Sequence, residues 1–213
     1  VHLQRQIGRL KRQILTLGTL VEEALGNAIE SLQMHDLELA QKVIDGDQVI
    51  DEMEIDVEED CLHTLALHQP VAQDLRFVVA VLKINNDLER IADLAVNIAE
   101  QARFLGKQSG LVFSQFEIFR SAGLVLSMLK QSLDALVNLS PEEAQAVRQR
   151  DDEVDDAHRR TIALVKAAMR QSPDRIDALL NLLSISRQLE RIGDHAVNVA
   201  EDVIYMVRGD ILR

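Results

Sequence analysis

Two stretches of this chain, LERIADLAVNIAE at 88–100 and LERIGDHAVNVAE at 189–201, share ten of thirteen residues. Each carries Glu-x-x-x-Asp and, four residues on, an Asn. On an α-helix at 100° per residue, Glu89, Asp93, Asn97 and Glu100 fall within about 80° of one another. Glu190, Asp194, Asn198 and Glu201 repeat that stripe. The preceding segments carry matching lines of acid: Asp47, Asp51, Glu54 and Glu58 in DGDQVIDEMEIDVEED, and Asp151, Asp155 and His158 in RDDEVDDAHRR. Like charges four apart weaken a helix by roughly 0.2–0.5 kcal/mol per pair. Their duplication in register therefore calls for a reason other than helix stability.

Each half offers acid-x-x-x-acid motifs on two neighbouring helices, with the stripes facing outward. Converging carboxylates repel unless cations sit between them, and they can bridge more than one hard ion. An oxygen-rich set favours Mg, Mn, Fe or Ca, while His158 makes the second site more tolerant of Fe or Zn. Spacing alone also fits a solvated acidic face with Arg90, Arg103, Arg159 and Arg191 as counter-ions. His195 points about 100° away from its stripe and reads as a surface or interhelix histidine. His63 and His68 read as helix-surface or loop residues. Cys61, the single cysteine, reads as an inert core thiol. No Ser/His/Asp or Cys/His grouping and no phosphate-cradling glycine loop is present, so no enzyme is expected. A ferritin-like di-iron bundle needs paired Glu-x-x-His motifs aimed inward. Only Asp155-x-x-His158 comes near, on an outward stripe, which leaves that enzyme and a metal-free helical scaffold as the alternatives.

The elements that must hold these residues read as helices throughout. The 213 residues contain no Trp, one Tyr, nine Gly and three Pro, and Ala, Leu, Ile, Val, Glu and Arg dominate, as in long helices. Six are expected: about 3–34, 36–67, from HQPVAQD to about 104, 112–139, 140–171 and 173–208. Asp36 and Ser140 are expected N-caps. Glu143 should close a capping box on Ser140, and Ser172 with Pro173 should start the sixth helix as Ser140 with Pro141 starts the fifth. The third and sixth helices match at an offset of 101 and the second and fifth at 104, which suggests a longer loop at HQPVAQD. The fold class is all-α: two pseudo-symmetric three-helix bundles from an internal duplication, residues 1–107 and 108–213. A net charge of −12 argues against nucleic acid and anionic lipid and for basic protein patches or cations. No apolar run approaches a membrane span, and VHLQRQIGRLKRQ lacks the apolar core of a secretion signal. The chain is expected in the cytoplasm, or peripheral at the inner membrane through protein partners.

VEEALGNAIESL, AQKVIDGDQVIDEMEIDVEEDC, QPVAQDLRFVVAVLKINNDLERIADLAVNIAE and SISRQLERIGDHAVNVAE together resemble the PhoU family of bacterial phosphate-transport accessory and regulatory proteins. The likeness covers the whole chain, and its most specific element is the doubled E-R-I-G-D, which departs from the pattern at Ala92. The resemblance implies multinuclear metal clusters on Asp47, Asp51, Glu89 and Asp93, and on Asp151, Asp155, Glu190 and Asp194. Glu54, Asn97, His158 and Asn198 join as auxiliary candidates from the stripes. It also implies a homodimeric negative regulator of phosphate uptake and phosphate-starvation signalling. Such a protein would link the ATPase subunit of the phosphate ABC transporter to a phosphate-sensing histidine kinase.

Overall fold

The computed structural model describes residues 2–107 and 116–209. Within them lie α1 (His2–Met34), α2 (Leu37–His68), α3 (Ala72–Leu105), α4 (Ile118–Asn138), α5 (Pro141–Arg148), α6 (Asp151–Gln171) and α7 (Ile176–Arg208). The fold is all-α. Helices α1, α2 and α3 pack on one another as a three-helix unit, and α4, α5 with α6, and α7 form the second. The expected boundary at 107/108 adjoins residues 108–115, which lie outside the described residues, as does the expected start of the fourth helix at 112.

Apolar periodicity positions each helix. In α1, Leu10, Ile14, Leu17, Val21, Leu25, Ala28 and Leu32 recur at three- and four-residue steps and are all buried. Asp36 caps α2 as expected, its Oδ1 accepting from the N–H groups of Glu38 and Leu39 at 3.0 and 2.9 Å. The repeat is exact in register: caps Asp36 and Ser140 correspond, and buried Ala40, Val43, Ile50 and Cys61 correspond to buried Ala144, Val147, Val154 and Val165. The two halves join chiefly along α3 and α7, with a smaller contact of α1 on α4. Flanked on several sides, α3 and α7 bury residues around much of their circumference. These two form the spine, and both carry the duplicated acids.

Four local expectations are corrected. The fifth rod is not continuous: α5 and α6 meet at Gln149 and Arg150, where the N–H of Arg150 bonds the carbonyl of Val147 in a tight turn. The Arg150 side chain turns onto α4 there, donating from Nη1 to Ser127 Oγ at 2.8 Å and to Gln131 Oε1 at 3.2 Å. Glu143 does not close the capping box, because the Ser140 N–H bonds Ala135 and the Glu143 carboxylate accepts from Asn138; Ser140 Oγ still caps the Glu143 N–H. Ser172 caps nothing, since Pro173–Arg175 form a 3₁₀ turn and α7 begins at Ile176. Nor is the loop at HQPVAQD long: only residues 69–71 separate α2 from α3, and the extra residues of the first half lie within its helices.

Candidate functional site

Packing of α2 on α3 brings the first set of acids together. Burial, and after it the charges of Asp51 and Asp93, push the Asp47 carboxyl up to about 6. Partial burial raises Glu89 as well, with Asp93, Glu54 and Asp51 adding to the rise and Arg90 opposing it. Glu54 is raised by burial and then by Glu58 and Asp51. Asp47, Asp51 and Glu54 of α2 thus share one electrostatic patch with Glu89 and Asp93 of α3. Arg90 is its local counter-ion, lying 3.3 Å from both Glu89 and Asp93, but it is itself half in solvent.

The second set is assembled the same way by α6 on α7. Burial, then Asp194 and Asp155, push Asp151 up to about 6. Glu190 is raised by burial and by Asp155 and Asp151 against Arg187 and Arg191, and Asp194 is raised by burial, Glu190 and Asp155. Two physically separate carboxylate sets on two helices each is the arrangement expected from the stripes. Asp47, Glu54 and Glu89 in the first set, and Asp151, Glu190 and Asp194 in the second, hold protons more tightly than free carboxylates do, because they are partly desolvated and face other acids.

The auxiliary residues divide. Glu54 joins the first patch, and its carboxylate accepts from Asn85 Nδ2 at 2.8 Å. His158 joins the second, Nδ1 lying 2.8 Å from Ser186 Oγ, and burial lowers its pKa. Asn97 sits half-buried one turn beyond Asp93. Asn198 leaves the stripe: its Nδ2 donates to Asp87 on α3 at 3.1 Å, and Glu201 pairs with Arg148 of α5 at 2.9 Å. His195 is an interhelix histidine, with Nδ1 2.7 Å from Asp87 Oδ1. Cys61 is fully buried, and burial with Asp60 and Glu58 pushes its thiol up to about 12, consistent with an inert thiol.

The structure adds Asn85 and Ser186, which no acidic stripe includes, to the two sites. Each is a buried polar residue four positions before the Glu of its repeat, and aligning the halves would have singled them out. Asn85 Nδ2 is pinned to the Glu54 carbonyl and carboxylate, leaving Oδ1 buried without a partner among the described residues. The fit to a hard cation is therefore one of donor chemistry, with clustered anionic oxygens and a spare amide oxygen beside them. It is not a preformed cage: among the described residues no three Asp, Glu, His or Cys side chains are gathered tightly enough to hold an ion as they stand. Among the described residues, no helix is long and apolar enough to cross a membrane.

A family model for the PhoU domain matches the chain twice, at residues 14–102 and 118–203. A phosphate-specific transport system accessory protein PhoU homolog 1 from Thermotoga maritima is 34% identical over 98% of this chain and 90% of its own length. A phosphate-specific transport system accessory protein PhoU homolog from Pseudomonas aeruginosa is 36% identical over 96% of this chain and 84% of its own length. The crystal structure of PhoU from Pseudomonas aeruginosa superposes with a TM-score of 0.94 at 35% identity, covering 97% of this chain and 99% of that one. The phosphate transport system regulatory protein PhoU from Streptococcus pneumoniae superposes at 0.88 with 29% identity, covering 99% of each.

Proposed function

The chain belongs to the PhoU family, and from that premise we propose that it is a non-enzymatic regulatory accessory protein of phosphate-specific transport. It restrains phosphate uptake and phosphate-starvation signalling by linking the transporter's ATPase subunit to a phosphate-sensing histidine kinase, acting as a cytoplasmic homodimer. Its relatives carry accessory and regulatory names in the phosphate-transport system.

The observation that carries a metal-dependent form of this reading is the paired convergence of acids across the α2/α3 and α6/α7 seams. Asp47, Asp51, Glu89 and Asp93 would hold one cluster of ions, with Glu54 and Asn97 at its margin. Asp151, Asp155, Glu190 and Asp194 would hold the other, with His158 as a nitrogen donor. Bound cations (Fe, Mn, Mg, Zn or Ca) supply positive charge that turns an acidic face toward phosphate-bearing or acidic partners. Carboxylates brought this close are relieved of mutual repulsion by a cation, so binding also stabilises the fold.

Metal analysis of protein purified without chelator, set beside the Asp93→Asn/Asp194→Asn variant, tests the site. Several equivalents of metal in the parent and a marked loss in the variant are expected, with a lower thermal midpoint for the parent after chelation. Equal metal in both proteins, or none in either, would remove the site assignment. The regulatory reading is tested by recovering the tagged protein from phosphate-replete cells. The transporter ATPase and a histidine kinase are expected with it, and absence of both counts against it.

A further inference from the structure

Between α1 and α2 of the first half lies a groove of about 280 Å³ whose wall includes Glu23, Ala24, Asn27, Val43, Gly46 and Val49. The same place in the second half is filled. In the shared register, Glu23, Ala24, Asn27 and Gly46 correspond to Ser127, Met128, Gln131 and Arg150. There Arg150 lays its side chain back onto α4 and donates to Ser127 and Gln131, and Met128 is fully buried. In the first half the arginine is a glycine whose absent Cβ would meet nothing within 4 Å, and the methionine is an alanine. One of the two acceptors has meanwhile become a carboxylate. The second half thus displays an occupant that the first half lacks.

We propose that this groove receives an arginine side chain presented by a basic protein partner. The guanidinium meets the Glu23 carboxylate and the Asn27 side-chain oxygen, as Arg150 meets Ser127 and Gln131, and the aliphatic stem lies along Ala24 and Val43. Charge selects the partner. Glu23 and Asn27 make no hydrogen bond or ion pair with a described residue, and Lys42 on the rim makes no ion pair with one. A chain of net charge −12 attracts a basic surface. The exposed Val49 beside the groove offers apolar contact to residues flanking the arginine.

Heteronuclear NMR of the full chain in chelator, titrated with N-acetylarginine methylamide and separately with the citrulline analogue, tests this without involving metal. Saturable shifts centred on the amides of Ala24, Asn27 and Gly46 are expected with the arginine probe alone. Glu23→Gln should weaken them about tenfold, the size of one charge-assisted hydrogen bond. Gly46→Arg, which copies the second half, should abolish them, and Ala24→Met, which copies Met128, should do so with less change to the helix. No saturable shift at these amides, an equal response to citrulline, or a response that survives both filling variants would overturn the proposal. It would equally fall if filling the groove altered only the oligomeric state, marking a contact between copies of the chain.

Discussion

At position 54 the first half places a carboxylate against an amide, and at the equivalent position 158 the second places an imidazole against a hydroxyl. Both pairs close at 2.8 Å. The exchange keeps a hydrogen bond between the site-bearing helices while changing what faces the acids: one more anionic oxygen in the first patch, a ring nitrogen in the second. Softer, imidazole-tolerant cations should accordingly favour the second patch. The acids themselves have a consequence for stability. Asp47 and Asp151 titrate near 6 when folded, above the value of about 4 usual for the unfolded chain. The folded state then binds the extra proton, so each group opposes folding above pH 6, and that opposition fades as pH falls toward 4. His158 acts in the other sense, because its lowered pKa means that the unfolded chain takes up its proton first as pH drops through 6.5. Comparing chelated parent with Asp47→Asn/Asp151→Asn cancels the histidine. The variant should be the more stable by urea unfolding at pH 7.5, with the difference shrinking by pH 5. A difference independent of pH would contradict raised carboxyls at these positions.

Among the elements, the clearest test is α7 at Gly193. The equivalent position of the first half is Ala92. A Cβ built on Gly193 meets Asp151 Oδ1 and Val154 Cγ1 at 3.6 Å and Val125 Cγ1 at 3.8 Å, which is ordinary contact. Alanine is favoured over glycine inside a helix, so Gly193→Ala should stabilise by about 0.5–1 kcal/mol. A fall in thermal midpoint would mean that the helices need the closer approach. Gly18 differs: a Cβ there would come within 2.6 Å of Leu133 Cδ2, where α1 meets α4. Most helical segments and the caps Asp36 and Ser140 are legible because they depend on residues within one or two turns. The break at Gln149 and Arg150 was not, because QRDDE continues a helical pattern. What decides it is a hydrogen bond from Arg150 to Ser127, over twenty positions away. One local sign was available in Asp151, Asp152 and Glu153, three acids together as in a helix's first turn. The acids of the candidate site were legible for the same reason as the stripes, being four apart on one face. Asn85 and Ser186 stand one turn earlier on the same helices, but their part in the sites comes from Glu54 and His158 across the seam, which no pattern within one helix gives.

For the molecule as a whole, the joint between the halves is the pairing of α3 with α7, and it is polar at both ends. Lys83 Nζ lies 3.0 Å from Asp202 Oδ1, and Gln101 Nε2 donates to Ser184 Oγ at 2.7 Å. Exchanging the two repeats carries Lys83 onto Ser184 and Asp202 onto Gln101, so the same repeated contact is charged at one end and neutral at the other. Asp87 holds the stretch between, accepting from Asn198 and paired with His195. These bonds draw Asn198 out of the acidic stripe that its spacing suggested, because a long interface competes for residues that one helix taken alone would give to solvent. Asp202 is 8% exposed, and burial raises its pKa even with Lys83 attached. Lys83→Met would strand that carboxylate and should lower stability by about 1–3 kcal/mol, below the figure for a fully buried pair because the lysine side chain is itself 57% exposed. Gln101→Leu removes a neutral bond and should lower it by about 0.5–1.5 kcal/mol. The chain supplies its own reporter. Tyr205, the one tyrosine in a protein without tryptophan, has its ring centroid 5.5 Å from Lys83 Nζ. If α3 and α7 make the halves one cooperative unit, tyrosine fluorescence and far-ultraviolet circular dichroism will shift together to lower urea in Lys83→Met. A tyrosine transition that moves while the helical signal stays would show two bundles unfolding separately, with the joint no more than a contact between them.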